Sequence, residues 1–272
     1  MAESTREHAR IAPRELPGIK RIFNGPLDKP VEVFIPAATT AKHPVGIVIH
    51  FLGAPFIPEY AASELANNSV VAVVSIGSGS GIFDRTFTPP AAYDSLLASI
   101  RREVDAALGA PPTTRDVTLV GFSAGHGAIR AILRDSAHFA GVNAVLLLDG
   151  MHTSYVPEGQ VLDKGGVVDT TNLVVWEKFA REAVAGRKRF LVTHSEIFPG
   201  TFASTTETAD WLTTRLGLKR APVLAWGPGG MQQLSEVHAG KFEIRGFAGN
   251  SAPDHIDQFQ GMATFLKRLT EL

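Results

Sequence analysis

The segment VTLVGFSAGHG, residues 117–127, sets Ser123 between two glycines at the spacing Gly121-Phe122-Ser123-Ala124-Gly125. A serine hydroxyl is a weak nucleophile until a neighbouring base takes its proton, and a sharp strand-to-helix turn is one way of presenting it to a substrate. Such a turn strains the serine backbone and crowds the positions two residues to either side, where glycine avoids a Cβ clash. The spacing also fits an ordinary tight turn with a capping serine, and as a short pattern it says little alone. Context has to separate the two readings. The partners that nucleophilic chemistry needs are an imidazole and a carboxylate. Nine histidines compete for the first part. For the second, Asp149 ends the apolar run Ala144 to Leu148, and Glu196 follows Thr193-His194-Ser195.

The elements that must position these residues are readable from period. Short β-branched runs at Val45 to Phe51, Val70 to Ile76, Val117 to Val120, Val142 to Leu148, Phe190 to Thr193 and Phe242 to Phe247 alternate with segments of helical period. Tyr93, Leu96, Leu97, Ile100, Val104 and Leu108 mark one amphipathic helix that Gly109 and Pro111 terminate, and Ala128, Ile129, Ile132 and Leu133 mark another. Pro58 to Asn67 reads as a short helix. Asp169 to Asn172 offers capping residues for a helix through Ala185, and Ser204 and Glu207 make a capping box ahead of a helix that stops at Gly217. One final helix carries Ile256, Phe259, Ala263 and Leu266. The alternation predicts a doubly wound, mostly parallel α/β sheet with helices on both faces, preceded by antiparallel edge strands at Lys20 to Phe23 and Val31 to Ile35. Residues 1–272 are expected to form a single domain, with the long connections 150–168 and 218–241 acting as small caps or site-shaping loops.

In such a sheet, ligands collect outside the carboxyl ends of the parallel strands. Ser123 falls there. So do His50, His126, His152, His194 and His255, whereas His8 and His43 precede the parallel series and His138 and His238 lie at the opposite end. His126 reads as a residue of the helix start, His194 as a polar strand end with structural hydrogen bonds, and His152 as a substrate contact.

The glycine-serine turn after the strand at Val117, in the middle of this βα series, resembles the nucleophile elbow of the α/β-hydrolase superfamily. The resemblance covers most of the chain. It implies a serine hydrolase with Ser123 as nucleophile, and with His255, in the loop Gly249-Asn250-Ser251-Ala252-Pro253-Asp254-His255 before the last helix, as general base. An unperturbed imidazole titrates near ~6.5, suited to taking the serine proton and returning it to a leaving group. The triad acid is Asp149 or Glu196. Asp149 is preferred for its strand-end burial, although the superfamily more often carries its acid near the station of Glu196. The oxyanion donors implied are the amides of Ala124 and, in His50-Phe51-Leu52-Gly53-Ala54-Pro55, of Leu52, with Phe51 and Gly53 as neighbours that could serve instead; Phe51 stands in place of the family's glycine.

Composition narrows the chemistry. With 26 basic and 27 acidic residues, the chain has no general attraction for nucleic acid or anionic membrane. It has no cysteine, which excludes thiolate nucleophiles, disulfides and cysteine-ligated metals. The first twenty residues mix charge signs without an apolar core, which favours the cytoplasm, and no apolar run approaches the ~20 residues of a membrane span. Gly77 to Gly81, GSGSG, lacks the lysine of a phosphate-binding loop and reads as a flexible wall. Phe83, Phe87, Tyr155, Trp226 and Met231 would line an apolar acyl or aryl pocket or anchor the loops. The expected activity is hydrolysis of a small-molecule carboxylic ester through an acyl-serine, without cofactor or metal. Thioesters, amides and lactones would suit the same groups, and a non-catalytic binding protein of the same fold is the alternative of another class.

Overall fold

The computed structural model describes residues 7–272. Strands β1 (Gly18–Phe23) and β2 (Val31–Pro36) are followed by β3 (Val45–Phe51), α1 (Phe56–Leu65) and β4 (Ser69–Val74). Helices α2 (Ser80–Phe87) and α3 (Pro90–Leu108) precede β5 (Thr114–Phe122), and α4 (His126–Arg134) and α5 (Ser136–Gly141) lead to β6 (Ala144–Leu148). Next come a small hairpin of β7 (Tyr155–Val156) and β8 (Val167–Val168), then α6 (Val174–Val184), β9 (Arg189–His194) and α7 (Thr205–Arg215). The chain closes with β10 (Ala221–Trp226), β11 (Gln232–Ala239), β12 (Phe242–Phe247), α8 (Ala252–Gln260) and α9 (Met262–Glu271). Among the described residues no helix is long and apolar enough to cross a membrane.

Ten strands make one sheet in the order β1-β2-β4-β3-β5-β6-β9-β12-β11-β10. The central six, β4 to β12 in that order, are parallel, and the two outermost strands at each side are antiparallel. Side chains alternate across the sheet, as the period of two requires. Val145 and Leu147 of β6 face one core with Leu96, Ile129, Trp176 and Phe179, while Leu146 and Leu148 face the other with Ile57, Phe259, Phe265 and Leu269. Both faces of the centre are therefore covered by helices, which is why its strands read as near-continuous apolar runs.

Three expectations change. The stretch 218–241, expected as a connection, is mostly the antiparallel pair β10 and β11, which extends the sheet beyond β12. Its inward positions on β11 include Gln233 and Ser235, so hydropathy hides the alternation. The final helix is two helices broken at Gly261, where a Cβ would stand 2.7 Å from both Phe265 and Pro228. Helix α6 begins at Val174, because Asp169 instead accepts from the Thr171 amide (2.9 Å) and hydroxyl (2.6 Å) and from Ser154 (3.2 Å).

An acidic cluster lies under the first edge strands, where Lys20 Nζ sits 2.7 Å from the buried Glu59 carboxylate and 3.9 Å from Glu32. The hydrogen bond to Glu59, burial and the Glu59 charge push Glu32 up to about 7. A carboxyl whose pKa is raised on folding stabilises the fold while protonated, and that contribution is lost as pH climbs through the raised value. The fold is thus expected to lose stability between about pH 4.5 and 7 on account of Glu32. Glu32→Gln, which keeps a hydrogen-bond donor and cannot ionise, should melt a few degrees above wild type at pH 8 and level with it at pH 4. Thermal melts at the two pH values check this, and equal offsets at both would contradict it.

Candidate active site

Strand β5 delivers Ser123 at the carboxyl edge of the sheet, and a single 3-10 turn, Ser123–Gly125, joins it to α4. Ser123 has φ +48°, the left-handed region that a residue with a Cβ adopts only under local constraint. Close packing supplies the constraint. A Cβ on Gly125 would lie 2.1 Å from the carbonyl oxygen of Phe51, and one on Gly121 would lie 3.0 Å from Ile129 and 3.1 Å from the amide nitrogen of His126. The glycines at these two positions let the turn press onto β3 and α4, as the sequence argument required.

The next parallel strand brings Asp149 to the same edge, since Phe122 of β5 is in register with Leu148 of β6. Asp149 is buried and has φ +44°. Four donors satisfy its carboxylate. His255 Nδ1 stands 2.7 Å from Oδ2 and the Ser195 hydroxyl donates to the same oxygen at 2.6 Å, while the Ser195 amide (3.0 Å) and the Thr205 hydroxyl (2.6 Å) donate to Oδ1. Burial alone would raise the pKa of such a group. The hydrogen bonds and charge of His255, with those from Ser195 and Thr205, outweigh it and hold the carboxyl well below its ordinary range. With an ionised carboxylate as acceptor, Nδ1 carries the proton, and Nε2 is the nitrogen left to receive one. Glu196 is elsewhere: it is exposed, and its carboxylate lies 3.4 Å from the amide of Gly249. Of the two carboxylates weighed from sequence, Asp149 is the one that reaches His255.

His255 rides on α8, which is fastened on two sides. The ring of Phe122 lies 4.7 Å from that of His255, Phe259 stacks on Phe122 at 4.9 Å, and His50 stacks on Phe259 at 5.1 Å. On the outer side, an N-terminal arm ties to the same helix. His8 Nδ1 is 2.8 Å from Asp257, Arg10 pairs with Asp257 and donates to the Pro253 carbonyl, and the Ile11 amide donates to Gln260 at 2.7 Å. His8, Asp254 and Asp257 put three ligand-type atoms within 4.8 Å of one another. Arg10 already occupies Asp257, and the Ser251 capping box occupies Asp254, so this trio serves to hold the helix.

Ser123 stands where two cavities meet. The larger, about 660 Å³, is walled by Ala124, Arg130, Ser78, Ser80, Ser154 and Asn172 among others, and the smaller, about 310 Å³, by His255, Asp149, Ile197, Pro199 and Ala252 among others. His152 and Phe202 line both, with their rings 5.1 Å apart and nearly perpendicular. His126 is buried with Nδ1 2.8 Å from the Ser123 carbonyl, so it braces the turn, and it also lines the larger cavity. Burial, with the nearby His152 and Arg130, lowers its pKa to about 3 and keeps it neutral. Burial likewise lowers His152, and lowers His194 to about 4; His194 is held by Thr206, the Ser195 carbonyl and Arg220.

Leu52 departs from expectation. Its amide donates to the Val74 carbonyl at 3.0 Å, because the ladder between β3 and β4 runs one residue past Phe51, and Leu52 lines neither cavity. The Gly53 amide is likewise taken, by the Ser75 hydroxyl at 3.2 Å. Ala124, in contrast, lines the larger cavity beside Ser123. The large side chains considered for the pocket lie elsewhere: Phe83, Phe87, Tyr155 and Met231 are buried, Trp226 is exposed on β10, and none lines either cavity. The wall that replaces them comes partly from the GSGSG segment, whose residues Ser78, Gly79 and Ser80 line the larger cavity. Sequence reasoning passed over Ser195 and Thr205. Ser195 had a signal, being polar and just beyond a strand at the favoured edge. Thr205 was hidden by the capping box that begins one residue earlier.

No protein-family model and no curated protein matches the chain. Solved structures do match it. The enterobactin esterase of Shigella flexneri superposes with a TM-score of 0.54 at 15% identity, over 96% of this chain and 61% of that one. A feruloyl esterase module from Clostridium thermocellum gives 0.51 at 12%, over 96% and 94%, and an arylesterase gives 0.50 at 14%, over 94% and 86%. This chain thus spans about three fifths of the length of the enterobactin esterase. Taken with the strand order and the parallel centre covered by helices on both faces, these likenesses show that the chain has the α/β-hydrolase fold.

Proposed function

We propose that the protein hydrolyses a carboxylic ester through a covalent acyl-Ser123 intermediate. The observation that carries the reading is the hydrogen bond between the buried Asp149 carboxylate and His255 Nδ1, made at the wall of a cavity that Ser123 shares. That bond sets the imidazole tautomer and stabilises its cation during transfer. In the first half-reaction the Ser123 Oγ–H proton passes to His255 Nε2 as Oγ bonds to the carbonyl carbon, and the carbonyl π electrons move onto oxygen. The Ala124 amide, at the start of the helical turn, is assigned as a donor to that oxyanion. Collapse expels the alcohol oxygen, which takes the proton from Nε2. Water repeats the sequence on the acyl-enzyme, yielding the acid and restoring Ser123. The esterases among the structural neighbours support hydrolysis of an ester in general.

Ser123→Ala and His255→Ala should each lower kcat on a short-chain aryl ester by about 10³-fold or more, with the fold unchanged by circular dichroism. Turnover preserved in both would sink the assignment. A fluorophosphonate should label Ser123 in the folded protein, and failure to label would favour a binding protein of the same fold.

Thr205 is assigned a positioning part, as one of the donors that hold Asp149. Thr205→Val should reduce kcat about tenfold with KM little changed, on the scale of one hydrogen bond to a charged group. Thr205→Ser, which keeps the hydroxyl, should restore most of the loss. Equal kcat in the two variants would remove the hydroxyl from the argument.

A further inference from the structure

The two cavities that meet at Ser123 differ in size, in chemistry and in which reacting group each contains. Ala124 lines the larger and is absent from the wall of the smaller; His255 lines the smaller and is absent from the wall of the larger. An ester has two ends, and the chemistry tells them apart. The leaving oxygen must lie beside the imidazole that protonates it, whereas the acyl substituent extends from the other side of the carbonyl carbon. Resting on the acyl-serine reading above, this places the alcohol part in the smaller cavity and the acyl part in the larger.

The walls then describe each part. The larger space, about 660 Å³ against about 310 Å³, is lined by Ser78, Ser80 and Thr201, and by Ser154 and Asn172, of which the Ser154 hydroxyl already donates to Asp169 and the Asn172 carbonyl already accepts from Arg134. Besides His126 and His152, whose pKa values burial lowers, it has one basic side chain, Arg130, already paired with Asp84 at 2.7 Å, and one acidic side chain, the exposed Glu158. Arg130 is thus not free to hold an anion and Glu158 would repel one, so the complement is a molecule rich in hydroxyls and not a carboxylate. The smaller cavity presents Ile197, Pro199, Phe202 and Ala252 around the polar reacting groups, which suits a short alkyl chain or a single ring. The edge-to-face pair His152 and Phe202 stands between the two, 5.1 Å apart at 86°. We infer that the substrate is an ester of a polyhydroxylated acid with a small apolar alcohol, and that Phe202 helps to keep the two ends apart.

Two esters built on the same polyol skeleton with the ester bond reversed, ethyl gluconate and sorbitol monoacetate, test the orientation. The purified protein should hydrolyse ethyl gluconate with a kcat/KM at least about tenfold higher, and Phe202→Ala should shrink that ratio to below about threefold. Equal rates, a reversed preference, or a ratio that Phe202→Ala leaves intact would overturn the inference. Fluorophosphonate labelling separates the levels of failure. Label on Ser123 without the preference refutes the orientation alone, and no label refutes the acyl-serine reading together with it.

Discussion

A carboxylate without water around it is the constraint on which this site depends. Asp149 is buried at the carboxyl edge of the sheet, where an unpaired charge would cost several kcal/mol. Its stability there comes from donors drawn from three separate parts of the chain: Ser195 just beyond β9, Thr205 in the first turn of α7, and His255 on α8. Each donor is held by something else. Ser204 and Glu207 cap α7 and so fix Thr205, and Tyr155 donates to the Glu207 carboxylate at 2.9 Å from the small β7–β8 hairpin. The hydrogen bonds that make burial tolerable also orient the imidazole. Loss of a donor therefore acts twice, by leaving a buried lone pair unmet and by loosening the ring beyond it.

The far side of the imidazole is governed by packing. Phe122, the central residue of Gly121-Phe122-Ser123, belongs to the strand that presents the serine, and its ring lies against both His255 and Phe259. One side chain thus couples the position of β5 to that of α8, so the serine and the imidazole are located by a common contact. The arm around His8 to Ile11 reinforces the same helix from outside through Asp257, Pro253 and Gln260. The polar hold on Asp149 and the aromatic hold through Phe122 act at right angles to each other in function: the first sets the tautomer, the second the placement.

Much of this was legible in the sequence because it is carried by local period. The parallel strands buried on both faces stand out as apolar runs, and Ser123, Asp149 and His255 each follow such a run at the edge where the topology collects ligands. What escaped was carried by contacts without local signal. Two of the inward positions of β11, Gln233 and Ser235, are polar, so its alternation does not show in hydropathy. The Leu52 amide looked free in a loop, yet the ladder with β4 continues far enough to claim it. The contact between His8 and Asp257 spans 249 positions, and nothing near either residue announces the other. Of the residues read as either pocket lining or loop anchors, Phe83, Phe87, Tyr155 and Met231 are buried, where large apolar side chains gain more than in a half-open wall, while Trp226 is exposed on β10.

The same edge concentrates backbone strain. Leu52, Ser123, Asp149 and Met151 all have positive φ and all lie just beyond the ends of β3, β5 and β6. Left-handed backbone at residues with a Cβ costs about 1–3 kcal/mol each, which is a large share of a typical stability of about 5–15 kcal/mol. Such conformations persist only where the surroundings leave no alternative. Here β3, β6 and the last six residues of β5 are buried, and the chain leaving each strand is pinned: Leu52 by its bond to Val74, Ser123 by Gly125 pressed onto Phe51, Asp149 by its four donors. The rigid centre of the sheet thus works as the support that lets three consecutive strand ends turn sharply at one place. Under the proposed acyl-serine mechanism, a serine and a carboxylate raised on such turns would need no rearrangement to face a substrate, so the cost would be met once, in folding, and not again in each turnover.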